Sequence, residues 1–500
     1  MSPDQFRRAG HALIDWIADY WGRLRAGDIP VTAPVRPGDV LASLPASPPE
    51  RAENWHGTPG IAADIDRIIL PAITHWQHPS FFAYFPANAS APAVLGELLS
   101  AGLGVNGMLW ATSPAATELE IRVLDWMAEM LGLPDAFRST SPGGGGVIEG
   151  TASEATLVAM LAARTRARTA APGARTQHLA LYASTQAHSS VIKAAMIAGL
   201  ADGPDDRRCI RLVDADDDFA MRPDLLERAI EEDLAAGRRP FFACATVGTT
   251  SSTAIDPLAA IGPIARRHGL WLHVDAAHAG AACICPEHRD LLRGAEHADS
   301  IGVNPHKWLL TNFDCGLLWT RDRASLTGAL SITPEYLRTP AAASGAPAAV
   351  DFRDWQVPLG RRFRALKLWF VIRHYGVEGL RAHVREHLRI AAMLEEWIRA
   401  DDRFRLAAPR TLNLVCFRLA HGAPDADDLN RRLLESVNAT GRAFLSHTVL
   451  PGVGFVLRLC VGGTFTREEH VREAWRLIAR TADSLRTGGT PPSSAVRSGS

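Results

Sequence analysis

No stretch of this chain stays apolar for the about 18 residues that a membrane-crossing helix needs, so no transmembrane helix and no membrane partner are expected. It also lacks a basic block. The 53 Lys and Arg stand against 54 Asp and Glu, a net charge of -1, which argues against nucleic-acid and anionic-lipid partners. The opening residues, MSPDQFRRAGHALIDW, mix charged and apolar positions, so no secretory leader is expected. The seven cysteines are scattered, and only Cys283 and Cys285 lie close together. Without a CxxC or a Cys/His zinc spacing, the reading is reduced thiols, a cytoplasmic location and no metal site. No internal repeat occurs.

What is present is globular: 500 residues, 47% hydrophobic and 21% charged, enough for a large core and more than one domain. Phe6, Leu13, Ile17 and Tyr20 recur at helical spacing and predict an amphipathic helix over 4–22. The Pro-rich connector DIPVTAPVRPGDVLASLPASPPE is expected to be an extended arm without regular structure. A dense aromatic segment, HWQHPSFFAYFP, follows. Beyond the helical TELEIRVLDWMAEML, apolar runs at 179–184, 241–247, 270–276, 299–304 and 315–320 read as strands. Helical patterns at 189–200, 222–236 and 257–268 alternate with them, which predicts a parallel α/β sheet covered on both faces. Residues 338–350 read as a loop. After about residue 376, helices mix with short strands such as LNLVCFRL and GFVLRLCV, and 484–500 read as a disordered tail.

Four strand ends carry groups with chemistry. NPHKWLL sets Lys307 among apolar neighbours, where a desolvated amine loses its proton readily and attacks carbonyls; a lysine that snorkels to the surface is the plainer alternative. Asp275 ends the apolar run LWLHVD, either as a partner for a ligand cation or as a cap for the next turn. His188 precedes Ser189 and Ser190 at a strand-to-helix junction, as a stacking or acid–base imidazole or as a cap. Thr250 closes ATVGTT. Upstream, EGTASEATLVAML puts Thr151, Ala152 and Ser153 at a helix start, which suits a phosphate or simply an N-cap. The glycine run lacks a GK[ST] ending, and no strand is expected to run straight into it as a dinucleotide fingerprint requires. An amine, a carboxylate, a flat ring and an anion cradle together are the parts of a pyridoxal 5'-phosphate site.

The series HWQHPSFFAYFPA, SPAATELE, GGGGVIEGTASEATLVAMLAAR, QAHSSVIKAA, WLHVDAAHAGAACICPE, NPHKWLLTNFDCGLLW and DWQVPLGRRFRALKLWFVIRHYG resembles the aromatic-L-amino-acid decarboxylases, group II pyridoxal-phosphate decarboxylases, over about residues 4–480. The resemblance implies the aspartate aminotransferase-like α/β fold (fold type I). That fold has a mostly parallel seven-stranded sheet, a smaller C-terminal α+β domain and an N-terminal helical arm. The expected boundaries are 1–85 for the arm, 86–375 for the cofactor domain, 376–483 for the small domain and 484–500 for the tail. It implies pyridoxal 5'-phosphate as cofactor, aromatic L-amino acids as substrates and a homodimer. Lys307 would hold the cofactor aldehyde, Asp275 the pyridine nitrogen, and His188 would stack on the ring with Ala277 on the opposite face. Thr151, Ala152, Ser153, Asn304 and His306 would line the phosphate end, with Thr250 beside cofactor and substrate. Trp76, Tyr84, Phe85, Pro86 and Ala87 would wall the substrate. Met108 and Phe313 would reach in from the partner subunit, and Tyr336, on a loop also from the partner subunit, would return a proton to Cα.

His278 stands where the family usually carries tyrosine, and Ala87 where threonine is common. Gly360 implies room for a larger ring such as indole. Three rivals remain open: an aromatic acetaldehyde synthase, whose relatives lose the loop tyrosine or the stacking histidine; a non-catalytic cofactor-binding protein; and an aminotransferase.

Overall fold

The computed structural model describes residues 1–53, 55, 60–170, 178–332, 349–420 and 426–487. The chain divides into two units: Met1–Tyr84 with Trp397–Arg405 and Phe417–Ser500, and Phe85–Glu396 with Leu406–Cys416.

The first unit begins with α1 (Pro3–Ala26), four residues longer at its C-terminal end than its apolar spacing predicts. Ser2 and Gln5 form a reciprocal capping box at its start, which satisfies two of its orphan amides. The connector is not wholly irregular, because its proline-free stretch folds into a one-turn helix, Asp39–Ser43.

The second unit contains α2 (Ala91–Leu103) and α3 (Pro114–Leu131), then a seven-stranded sheet. Its strands are β1 (Gly145–Glu149), β2 (Leu179–Ser184), β3 (Ile210–Val213), β4 (Arg239–Thr246), β5 (Trp271–Asp275), β6 (Ser300–Val303) and β7 (Gly316–Thr320). The order is β1-β7-β6-β5-β4-β2-β3, and only β7 runs against its neighbours. The mostly parallel α/β sheet is therefore as expected. Crossovers are made by α4 (Ala152–Ala170), α5 (Ser190–Ile197), α6 (Pro223–Ala235) and α7 (Leu258–Arg267), and the one-turn α8 (Pro305–Trp308) follows β6. Successive strand residues feed two cores: Ala180, Tyr182, Ala243 and Ala245 face one, and Leu179, Leu181, Phe242 and Cys244 the other. Burial on both faces is why these strands read as unbroken apolar runs.

Two strands escaped the sequence reading. β3 is four residues long and follows a charged stretch. β1 begins inside the glycine run, at Gly145, and leads to Gly150; no strand runs into the glycines from upstream, as expected. Its glycines serve packing: a Cβ on Gly146 would come within 2.8 Å of Trp319 Cδ1.

The helix α9 (Ala365–Arg399) breaks at Gly376, whose φ of 65° lies in the left-handed region. Then come β8 (Phe404–Leu406), β9 (Leu414–Leu419), α10 (Ala426–Ala439), β10 (Ser446–Leu450), β11 (Gly454–Cys460) and α11 (Glu468–Thr487), with the strands ordered β10-β11-β9-β8. The helix α11 continues through 484–487, read from sequence as the start of the tail; 488–500 lie outside the described residues. In the first unit Phe82 donates its N–H to Phe444 O and accepts from Cys460 N–H, joining the N-terminal segment to these strands. Among the described residues no helix is long and apolar enough to cross a membrane.

A buried ion pair clamps α3 to β1. Arg361 Nη1 sits 2.6 Å from Glu120 Oε2, with both side chains 2% exposed. Glu120 Oε1 accepts from Ile148 N–H, and Arg361 Nη2 donates to Ile148 O. Glu120→Ala strands the guanidinium without its carboxylate, so unfolding in urea should show a loss of about 3–5 kcal/mol. A loss below about 1 kcal/mol would show that the pair is not a clamp.

Candidate active site

Parallel strands end at one edge of their sheet, where ligand crevices form. Here β1, β2, β4, β5 and β6 deliver Glu149, Ser184, Thr246, Asp275 and Val303 to that edge. The segments just beyond them carry Thr151, His188, Thr250, Ala277 and, on α8, Lys307.

Asp275 is buried at the end of β5, level with Thr246 on one side and Gly302 on the other. Its Oδ1 accepts the Ala277 N–H at 3.0 Å, so the cap reading holds and the carboxylate is held in place by its own turn. Lys307, half-buried on α8, does not snorkel into open solvent; its Nζ lies 5.2 Å from the centroid of the Phe85 ring. The helix α8 is strapped to the segment after Phe85. Asn88 N–H donates to His306 O, Leu310 N–H to Asn88 Oδ1, and the Ser90 hydroxyl to Leu310 O. Leu310 has φ of 53°, a strained value for a branched residue, close to the lysine.

His188 is exposed, and its Nδ1 accepts the Ser190 N–H at 3.1 Å. That bond caps the start of α5 and fixes the ring, leaving Nε2 to carry the proton of the neutral form. Desolvation by the surrounding protein holds its pKa below the usual histidine value; Asp275 opposes the shift and Lys307 adds to it. Asp275 and Lys307 both lie within electrostatic reach of the His188 ring.

The expected phosphate end has its own geometry. The first amides of α4, after Thr151, have no intrahelical acceptors. Asn304 is buried with its Oδ1 unpartnered, and a flip of the amide offers a donor instead. Gly316, opposite Glu149 in the β1–β7 register, keeps the space open, since a Cβ there would lie 3.0 Å from both Asn304 Oδ1 and Thr151 Cα. Buried His306 places Nδ1 2.8 Å from Cys315 O and 2.9 Å from Cys315 N. Burial, with the Lys307 charge adding, pushes its pKa down to about 3, so it is neutral. Free amides at a helix start, beside a buried amide side chain, suit an anion. With the amine and the carboxylate at neighbouring strand ends, the residues present fit pyridoxal phosphate.

The expected substrate residues fall in several places. Trp76 and Tyr84, in the first unit, are partly exposed and stack on each other at 5.8 Å. Phe85 and Pro86 are buried and Ala87 is half-buried. Phe313 is 59% exposed and packs on His306 at 4.5 Å. Met108 and Gly360 lie on two loops bridged by Asn106, whose Oδ1 accepts from both Met108 N–H and Arg361 N–H. Ser153 and Thr250 are exposed, and Ala277 is buried. Tyr336 lies outside the described residues, as do residues 338–348 of the expected loop.

Glu149 and Thr246 went unremarked in the sequence. Both Glu149 carboxyl oxygens are buried and unpartnered. Burial, with Glu154 adding and Arg361 and Arg364 opposing, pushes its pKa well above the ordinary carboxylate value. The strand-end rule that picked out Asp275 would have found it. Thr246 Oγ1, level with Asp275, is likewise buried without a partner. Among the described residues no group of three His, Cys, Asp or Glu is gathered for a metal ion.

Comparison with known proteins agrees with this geometry. Residues 37–420 match the pyridoxal-dependent decarboxylase conserved domain. Phenylacetaldehyde synthase of Arabidopsis thaliana is 49% identical over 488 residues, 97% of each chain. Tryptophan decarboxylase 2 of Oryza sativa subsp. japonica is 48% identical over 97% of this chain and 96% of its own. The crystal structure of Oryza sativa TDC with PLP and tryptamine superposes with a TM-score of 0.91 at 43% identity, covering 97% of this chain and 99% of that one. This chain belongs to the pyridoxal-dependent decarboxylases, and pyridoxal phosphate is its cofactor.

Proposed function

We propose that the protein removes the carboxylate of aromatic L-amino acids as carbon dioxide and releases the arylalkylamine. The observation that carries this reading is the meeting of Lys307, Asp275 and His188 at one sheet edge in a chain 48% identical, over nearly its whole length, to a tryptophan decarboxylase. Lys307 would hold the cofactor aldehyde and Asp275 the ring nitrogen. His188 and Ala277 would flank the ring, Thr250 would lie beside it, and Thr151, Ala152, Ser153, Asn304 and His306 would take the phosphate. When bound, the cofactor supplies an electron sink for the pair left as the Cα–carboxylate bond breaks.

The chain's own side chains set the outcome. An Asp275 carboxylate keeps a nearby cation charged, which favours electron withdrawal. The Lys307 amine, placed beside Phe85, would be the nucleophile that holds the cofactor's aldehyde. Gly360 and Met108 would border the ring of the substrate together with Phe85 and Pro86. Tyr336 would deliver the proton to Cα under exclusion of water. A second reading, aldehyde formation by oxidative deamination, is favoured by the 49% identity to a phenylacetaldehyde synthase. Presence of both Tyr336 and His188 supports the amine.

Assembly is proposed as a homodimer. Leu95, Leu98, Leu99 and Leu103 lie exposed along α2, and Phe6, Leu13 and Ile14 along α1, which is apolar surface that a second copy would cover. A cytoplasmic location is proposed from seven buried, unbridged cysteines.

Borohydride reduction of the cofactor-loaded protein, followed by peptide mapping, should leave a pyridoxyl group on Lys307; labelling of Lys193 would overturn the assignment. Sedimentation at micromolar concentration should show a dimer, and a fully active monomer would count against it. Purified protein given Trp, Tyr, Phe or Dopa should yield carbon dioxide and amine in equal amounts. Tyr336→Phe should lower amine and raise aldehyde, ammonia and peroxide. Amine at the unaltered rate, with no aldehyde, would show that Tyr336 is not the proton donor.

A further inference from the structure

Behind Phe85 stands a column of rings. Phe85 stacks on His278 with centroids 3.9 Å apart and planes 13° apart. His278 stacks in turn on Trp308, at 5.0 Å and 13°. Trp308 is the residue after Lys307 on α8, so the column starts beside the reactive amine and returns to the same helical turn. Both inner rings are tethered in their own planes. His278 Nε2 donates to Asn413 Oδ1 at 2.8 Å, with both residues buried. Trp308 Nε1 donates to His387 Nδ1 at 3.0 Å, with the two rings nearly coplanar at 3°. A stacked ring can slide or rotate in its plane; a hydrogen bond at its edge removes that freedom. Neither His278 nor Asn413 carries a role in the chemistry proposed above.

We infer that His278 is a positioning residue that sets the ring size the substrate site accepts, by fixing where Phe85 stands relative to Lys307. This rests on the reading of Lys307 as the centre at which aromatic amino acids react. Trp308 and Asn413 anchor His278, and His278 is the surface on which Phe85 rests. Its thickness and reach therefore decide how far the Phe85 ring stands from the amine. An imidazole is the shortest side chain that offers both a stacking face and an edge donor. A phenol at this place is longer, cannot keep the Asn413 bond without shifting, and carries Phe85 with it. Packing this close transmits small changes, because a methylene of volume is felt in a filled interior.

The test uses the cofactor-loaded protein and two probes without an amine, indole-3-propionate and 3-phenylpropionate, as competitive inhibitors. With no amine they report ring fit apart from the chemistry. His278→Tyr should shift the ratio of the two inhibition constants about tenfold. The ratio of KM for L-Trp to KM for L-Phe should shift in the same sense. Asn413→Ala, which keeps the imidazole but releases it, should move the same ratio by about threefold, and His278→Phe, which keeps the stack without the tether, should match Asn413→Ala. Cofactor affinity and the absorbance of the bound cofactor should stay constant throughout. An inhibitor ratio unchanged within about twofold in both Asn413→Ala and His278→Phe overturns the inference, even if His278→Tyr does not fold. Equal losses for both probes also overturn it, since they mark a merely structural role. A protein that makes no amine yet shows the ratio change would fail the decarboxylase reading and leave the ring-size role standing.

Discussion

Strands that run in one direction must all end at one edge, and the groups proposed for chemistry in the second unit gather there. The sheet can be parallel because each crossover helix covers a face, and it can be buried because its side chains divide between two cores. The same burial that makes the strands uniformly apolar leaves their ends as the place where polar groups can sit without interrupting a core. Asp275, Thr246 and Glu149 are each the last residue of their strand. Their surroundings then differ. Both Glu149 carboxyl oxygens are buried without a hydrogen-bond partner, whereas Asp275 is tied by a backbone amide and lies close enough to His188 to act on its protonation.

The strands that were legible were those whose neighbours on both faces are apolar. The run 179–184 was read at the bounds it has in the fold, and the bounds of β4 to β7 differ by one or two residues. The glycine run concealed β1, because glycine looks like a turn in a sequence, and only the close approach of Trp319 shows that its absent side chains are a packing requirement. Lys307, Asp275 and His188 were legible because each follows or ends an apolar run, a local signal. His278 could be noticed as a departure but not given a role. Its partners are Phe85, far upstream, and Asn413, 135 residues downstream, and no local pattern links them. Trp76 and Phe313, marked by family likeness, are surface residues by burial alone, so nothing in their hydropathy sets them apart from ordinary exposed aromatics.

Neutral polar groups recur in the interior of the second unit. His306 and His273 are both held uncharged by burial, with pKa values pushed down to about 3 and about 4, and burial pushes the Glu149 carboxyl in the opposite direction, well above its ordinary value. An anion site built from the neutral His306, the Asn304 amide and the first amides of α4 presents dipoles and hydrogen-bonding edges rather than a set of fixed counter-charges. Its field is local, and added salt screens it little compared with a surface patch.

The first unit is discontinuous in sequence, and that has a consequence for the order of synthesis. Phe82 finds its two backbone partners at Phe444 and Cys460, which leave the ribosome roughly 380 residues after it. At about 5–20 residues per second the N-terminal segment waits on the order of 20–75 s for the strands that complete its unit. Over that interval the second unit, nearly contiguous, can close around its own sheet, while α1 and the aromatic stretch before Tyr84 stay without their native neighbours. Chaperones that shelter nascent apolar segments would meet this chain at its beginning, and the last part of the protein to mature would be the first part made.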